Sequence, residues 1–427
     1  MTQFGSLSIL GSAQPAALPE SIATLQRDAR TSLAGLNLPT RRTENWKYSF
    51  KRLGDLNSLV QSKQADADAK ADDTSPIVSD ALIINIVNGQ VDQNSIDAIN
   101  AANQSGLCII RFSDLDEAQT QTVIENTRDH AQGELEQLNS ALFEDAIFIE
   151  IAKNVVLSRP IQLNLVHKGS GLSTPRVFVS LGQSAQATLI ETHQVEDSES
   201  AFVANQMSAL LAANSKLNYL RMNPLGNHYK LSTATRAILK RDAVFESDSL
   251  CLGAGMGRHD LHVLMTESGA HCELNGVVVT KGKQHFDNHT NIEHIASHCT
   301  SEENYRCIAD DQSHIVFNGR IHIHKDAQKT LGEMNNRNLL LSNGAEIDTK
   351  PELEIYADDV KCAHGATIGQ LNEKEVYYLK TRGLSDEQAR QMLTLGFVLE
   401  LVRAAPIEEL AQQWEQSLSE LLSFQDK

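Results

Sequence analysis

Two residues in the stretch "VKCAHGATIGQL" (360–371) carry the sharpest chemical suggestion in this chain: Cys362 and His364, one residue apart. On a β-strand, positions i and i+2 share a face and lie roughly 6.6 Å apart at about 3.3 Å rise per residue. Metal–ligand bonds of roughly 2.0–2.3 Å require both side chains to lean together to hold one ion. Two coordination positions then stay open, with no adjacent carboxylate or thiolate to fill them. As a nucleophile, a free thiol with a pKa of about 8.5 is only a few per cent thiolate at neutral pH. His364 can assist as a base, yet no oxyanion-hole sequence accompanies it. Three readings stand at this point: half of a shared metal or cluster site, a thiol enzyme, or a structural end-cap in which a small cysteine sits beside a turn.

A second concentration of ligand-type side chains runs from His259 to His324. It takes in His271, His285, His289, His294, His298, His314 and His322. His322 and His324 fall on one face of the strand-like "RIHIH", and His298 adjoins Cys299. The H-x-x-x-H spacing chelates well on a helix, but this region reads as β. Buried or surface-ladder histidines are the plainer expectation, and a metal-dependent enzyme built on this cluster is the rival one.

Other chemistries are excluded by pattern. "GAGMGR" (253–258) imitates a dinucleotide fingerprint but has Arg258 where the third glycine belongs, and no strand–helix context. No G-x-x-x-x-G-K-[ST], G-x-S-x-G or H-E-x-x-H occurs. The six cysteines form no C-x-x-C, so neither a zinc ribbon nor a thioredoxin-type pair is written. Free thiols are expected in a reducing cytosol. A net charge of -18, spread along 427 residues, opposes nucleic acid and anionic lipid. No apolar run approaches the roughly 18 residues of a membrane span, and "MTQFGSLSIL" lacks the pattern of a secretory signal. The cytoplasm is the expected compartment.

The elements that must position these residues fall into three textures. "PESIATLQRDARTSLAGL" spaces Ile22, Leu25, Ala29 and Leu33 at helical intervals. "PTRRTENWKYSF" follows, with Trp46 and Tyr48 as expected anchors. Residues 61–77 read as a flexible connector, and 120–142 as another helix. From about 145 to 370, short β-rich runs ("AIFIEIA", "RVFVSL", "LHVLM", "GVVVT", "RIHIH", "ELEIYA") alternate with Gly, Asn, Asp and Ser. No amphipathic helix interrupts them, which argues for an all-β body. A small residue recurs at Ala185, Ser215, Ala243 and Ala270, then at Ser313, Ala327 and Ala345. The earlier intervals suit the coils of a β-solenoid, with a β-sandwich as the alternative. The end of the chain returns to helix. Ser385 with Gln388 forms a capping box after Gly383, and Leu410, Trp414, Leu418 and Leu421 line one face beyond Pro406. That face either folds back on the β body, closes the open end of the solenoid or docks a partner. The expected organisation is a mostly helical region at 1–142, a β core at 143–371 and a helical region at 372–427.

Four stretches resemble a known family. "PTRRTENWKYSF" (39–50), "DNHTNIEHIASHCTSEENYRCIADDQSHIVFNGRI" (287–321), "AQKTLGEMNNRNLLLS" (327–342) and "PELEIYADDVKCAHGATIGQLNEKEVYYLKTRGLS" (351–385) are similar to the SufD branch of the SufB/SufD family of iron–sulfur cluster assembly proteins. The SufB branch differs where it matters: it carries Glu-His-Glu where this chain has "CAHGAT", and a Cys where "LGFV" (395–398) ends in Val398. The resemblance implies a right-handed parallel β-helix between helical ends, and a non-enzymatic scaffold in a complex with SufB and two copies of the ATPase SufC. It places His364, and secondarily Cys362, at the SufB interface where a nascent cluster forms. Iron at His364 is then transient and shared, with no cofactor held stably by the isolated chain, and the sulfur-receiving Cys belongs to SufB. The last helices are expected to bind SufC, and a homodimer is a further expectation for the chain without its partners. The connector at 61–77 matches nothing in the family pattern.

Overall fold

The computed structural model describes residues 3–6, 18–54, 56, 76–102, 104–127, 133–196, 198 and 201–423. The expected connector at 61–77 therefore lies almost wholly outside the described residues. The β texture becomes a parallel β-solenoid of about eight turns, built from two ten-stranded sheets that face each other across one lumen. Every strand from Ile161–His167 to Val360–Gln370 pairs in parallel with strands about one coil away. Like residues accordingly stack in columns. One interior column of the second sheet runs Ile149, Val179, Ala209, Ala237, Val263, Ile292, Ile321, Leu353. All but Leu353 are almost fully buried.

The recurring small residues are corners. Ala185, Ser215, Ala243 and Ala270 are buried and each directly precedes a strand of the first sheet. The residue before each one (Ser184, Asn214, Asp242, Gly269) has a left-handed φ, a conformation that Gly and, less readily, Asn and Asp tolerate. The N–H of each left-handed residue donates to a carbonyl of the next corner, as Asn214 does to Arg241 at 2.8 Å. His298 and Cys299 occupy the next such corner, with φ 61° at His298 and Cys299 fully buried. Ser313 and Ala345 belong to the opposite corner, ahead of strands of the second sheet. The two corner series interleave, which is why the later intervals look shorter.

Helices flank this body. The N-terminal region contains Glu20–Gly35, Gln93–Ala101, Glu117–Glu125 and Glu134–Leu142. The single helix expected at 120–142 is thus two. The same region also holds strands that the periodicity does not reveal. Leu82–Val87 joins the first sheet beside Ile161–His167, and Leu107–Arg111 pairs antiparallel with Ile147–Ile151. Ile96 and Ile99 of Gln93–Ala101 close that end of the lumen. Among the described residues, no equivalent helix lies over the other end, which is bounded by Glu346–Ile355 and Val360–Gln370.

At the C-terminus, Ser385 and Gln388 form the capping box, and Gly383 has φ +97°. Leu410, Trp414 and Leu418 are buried, with Val398 and Val402, against Ile190, Leu220, Leu250, Val277, Val279, Ile308 and Leu339. Those residues form the outer face of the first sheet. The stripe therefore folds back on the side of the solenoid: it neither covers the open end nor remains free for a partner.

Candidate functional site

Cys362 and His364 lie in Val360–Gln370, the last strand of the first sheet, which is hydrogen-bonded on one side only. The strand is exposed along most of its length because no further coil stacks on it. Its register settles which face the pair occupies. Cys362 is opposite Gly332, which is opposite Ser301 and then Cys272. His364 is opposite Met334, then Glu303, then Leu274. Both columns are interior, so thiol and imidazole share the lumen side of the strand at its uncovered mouth.

The two differ in surroundings. Cys362 is half-buried against the lumen core, beside the partly buried Leu353 and Val360. Burial pushes its thiol above the ordinary cysteine value, against the opposing hydrogen bond from the Gly332 backbone. The isolated chain therefore holds Cys362 as a thiol at neutral pH, which disfavours a thiol nucleophile. His364 is exposed and stands over the buried Met334. Together they supply at most two donors at the rim of a solenoid, as the spacing suggests. The remaining four cysteines of the β body, Cys251, Cys272, Cys299 and Cys307, are buried and free of disulfides. Burial pushes Cys307 up to about 12.

Most of the histidines are held by protein partners. His259 faces Thr235 at 3.1 Å, His271 faces Thr300 at 2.7 Å, and His294 faces Ser301 at 2.9 Å. His289 pairs with Asp287 at 2.7 Å, and His314 with Asp348 at 2.8 Å. Burial drives His294 down to about 3, so it is neutral at pH 7. His322 and His324 do converge, with Glu293, on the outer face of the second sheet.

"PTRRTENWKYSF" acts as a strap across the second sheet. Trp46 is buried under the Arg258 guanidinium, 4.2 Å from its ring centre, and Arg258 also donates to the Asn45 carbonyl at 2.7 Å. Ser49 Oγ donates to Asp287 Oδ2, while His285 Nε2 lies 2.8 Å from the same hydroxyl. Here serine sits between histidine and aspartate, whereas a catalytic triad needs histidine in the middle. Trp46 is thus an anchor, and Tyr48, 41% exposed, is not. In "GAGMGR", Gly255 passes close to the His228 carbonyl and Arg258 is paired with Asp260 and Asp287. The stretch is a turn and strand entry with no phosphate cradle.

Sequence reasoning missed a polar run inside the lumen. Glu191, Arg221, Ser249, Gly276, Tyr305, Asn336 and Ala366 form one column. Arg221 is fully buried, and its Nη1 donates to Asn223 Oδ1 at 2.8 Å. Glu191 is held by His193 at 2.8 Å and Asn205 at 3.1 Å. Alternation signals an interior face by apolar residues, and Glu191, Arg221, Ser249 and Asn336 are polar.

The fold and this site define a class: a β-solenoid closed at one end, displaying a thiol and an imidazole at the other. The SUF system FeS cluster assembly family, SufBD core domain, matches residues 164–397. The chain is 30% identical over 413 residues to the iron–sulfur cluster assembly protein SufD of Escherichia coli, covering 92% of this chain and 90% of that one. It is 32% identical to a SufBD family protein of Synechocystis, over 66% and 65% of the two chains. It is 25% identical to the chloroplastic protein ABCI7 of Arabidopsis thaliana, over 95% and 88%. The chain belongs to the SufBD family, as an iron–sulfur cluster assembly protein of the SufD type. Among the described residues, no helix is long and apolar enough to cross a membrane.

Proposed function

We propose that this chain is a non-enzymatic scaffold subunit of a Suf complex. In it, the edge of Val360–Gln370 pairs with a SufB solenoid and His364 receives the nascent cluster as cargo. The observation that carries this reading is the exposed, one-sided strand with His364 on its lumen face. An unpaired strand edge offers backbone donors and acceptors to a second strand, which is how edges recruit partners. His364 can ligate iron, or hold a sulfide-bearing thiolate from SufB by hydrogen bonding. Cys362, half-buried and protonated, is a supporting group at the same mouth.

SufC binding is assigned to the C-terminal helices, but on different residues from the Leu/Trp stripe. Glu373–Thr381 buries only Val376 and leaves Tyr377 70% and Tyr378 56% exposed, with Met392 57% exposed nearby in sequence. Aromatic and methionine side chains of this kind anchor protein partners.

The test is co-purification with tagged SufB and SufC, followed by iron and sulfide analysis. His364→Ala is expected to assemble normally and lose most of the cluster, with Cys362→Ala milder. Tyr377→Ala/Tyr378→Ala is expected to lose SufC while keeping SufB. Full cluster loading by assembled His364→Ala would refute the role of that residue, and absence of co-purification would refute the complex.

A further inference from the structure

The outer face of the second sheet carries a cluster that the cluster-assembly reading leaves unused. Glu293 and His322 are direct cross-strand neighbours in register, and His324 follows two residues later on the same face. Neighbouring strands lie about 4.7–4.9 Å apart, so in-register side chains on one face are adjacent. Here the donor atoms of all three side chains lie within 4.8 Å of one another. His324 Nε2 is 3.1 Å from Glu293 Oε2, and the two imidazoles stack with ring centres 4.2 Å apart. Donors around a tetrahedral ion with bonds of about 2.0–2.1 Å are roughly 3.3 Å apart. The three need only small rotations to reach that spacing.

Charge state suits ligation. Burial, then the neighbouring His324 and Arg320, lower the His322 pKa, so its ring is neutral at pH 7. Burial opposes the charge on Glu293, but hydrogen bonds from His324 and Asn291 outweigh it and hold the carboxylate below its usual range. Arg320 shapes the metal-free arrangement. Its Nη2 donates to His322 Nδ1 at 3.1 Å and to Glu354 Oε2 at 2.7 Å, and Glu354 faces His322 from Glu346–Ile355. The guanidinium thus supplies positive charge to two carboxylates in one cross-strand row.

We propose that Glu293, His322 and His324 form a site for a divalent cation of the zinc class. Two imidazoles with one carboxylate favour zinc and its late transition-metal neighbours over magnesium or calcium, which prefer oxygen donors. The ion clamps neighbouring coils close to the open end, and Arg320 withdraws from His322 when it enters. Fourth-position occupancy falls to water or to Glu354 released from Arg320. The site lies on the outer face of the second sheet, whereas Cys362 and His364 face the lumen from the first, and it needs no partner protein.

Titration of the purified chain with Zn2+ alone, followed by calorimetry, tests this. The visible spectrum with Co2+ alone reports coordination geometry. Wild type is expected to take up zinc saturably, give a tetrahedral Co2+ spectrum and melt at higher temperature with zinc present. His322→Ala and His324→Ala should each weaken binding at least tenfold, and Arg320→Gln should strengthen it. His364→Ala and His228→Ala should leave it unchanged. Circular dichroism of each variant separates loss of ligand from loss of fold, and His324→Gln serves where His324→Ala misfolds. Absence of zinc uptake by wild type overturns the proposal. So does uptake that survives His322→Ala/His324→Ala, or uptake abolished by His364→Ala. None of these readouts involves SufB or SufC, so failure here leaves the scaffold reading standing.

Discussion

The Cys362 thiol sits over Gly332, in van der Waals contact with the place where a side chain at 332 would begin. A Cβ placed on Gly332 would lie 3.5 Å from Cys362 Sγ and 3.4 Å from Ile321 Cγ2. The glycine is therefore a seat for the thiol, and its φ is ordinary, so space alone is at stake. Gly332→Val adds two branching methyls where contact is already close. The expected result is a folded protein whose Cys362 is alkylated several-fold faster by iodoacetamide, with Cys251, Cys272, Cys299 and Cys307 as buried controls. An unchanged rate would mean that the thiol is not held by that seat.

Trp414 joins the final helix to the side of the solenoid through the apolar patch that includes Leu250 and Val279. Trp414→Ala should cost about 3–5 kcal/mol of stability, as for large-to-small changes in cores, read from the urea midpoint. Tyr377→Ala, on an exposed position, should shift the midpoint by less than about 0.5 kcal/mol. Equal effects would contradict the packing. Removing the helices after Thr381 would bare Ile190, Leu220 and Ile308 to solvent, so point substitutions such as Tyr377→Ala separate partner binding from folding.

Glu303, in the His364 column, is buried, and burial raises its carboxyl to about 8 against the hydrogen bond from Thr290. The folded chain keeps a proton that the unfolded chain releases above about 4.5. Stability from this group is therefore complete below pH 4.5 and is lost as pH rises through about 8. Glu303→Gln removes that slope. At pH 4 the two proteins should be nearly equal, whereas above pH 8 the variant should be more stable by on the order of 4 kcal/mol. A urea-midpoint difference that does not vary with pH would rule this out.

Much of this architecture was legible because solenoids repeat. Corner residues such as Ala185 and Ser215 mark coils, and the alternation in "RIHIH" marks a strand. The i, i+2 spacing of Cys362 and His364 already places them on one face. Which face it is depends on register with Gly332 and Met334, a pairing some thirty positions away that local pattern does not encode. The lumen residues Glu191 and Arg221 were hidden for a related reason: partners such as Asn205 for Glu191 and Cys251 for Arg221 come from other strands, so their burial shows only after folding. Leu82–Val87 was obscured by its helical surroundings, and the Leu410/Trp414 stripe announced an apolar partner without naming it. The Glu293–His322–His324 grouping was half visible, since two of its members share a strand and the third comes from the coil before.

In a stack of coils, cohesion comes from each coil's two neighbours. Val360–Gln370 has one neighbour, and it carries the thiol and the imidazole. The proposed cluster ligands thus sit on the least anchored coil, where local opening breaks the fewest contacts and precedes global unfolding. A strand laid along that edge would convert the last coil into an inner one. Partner docking and the ordering of Cys362 and His364 then become a single thermodynamic event, and amide exchange along the strand would report both at once.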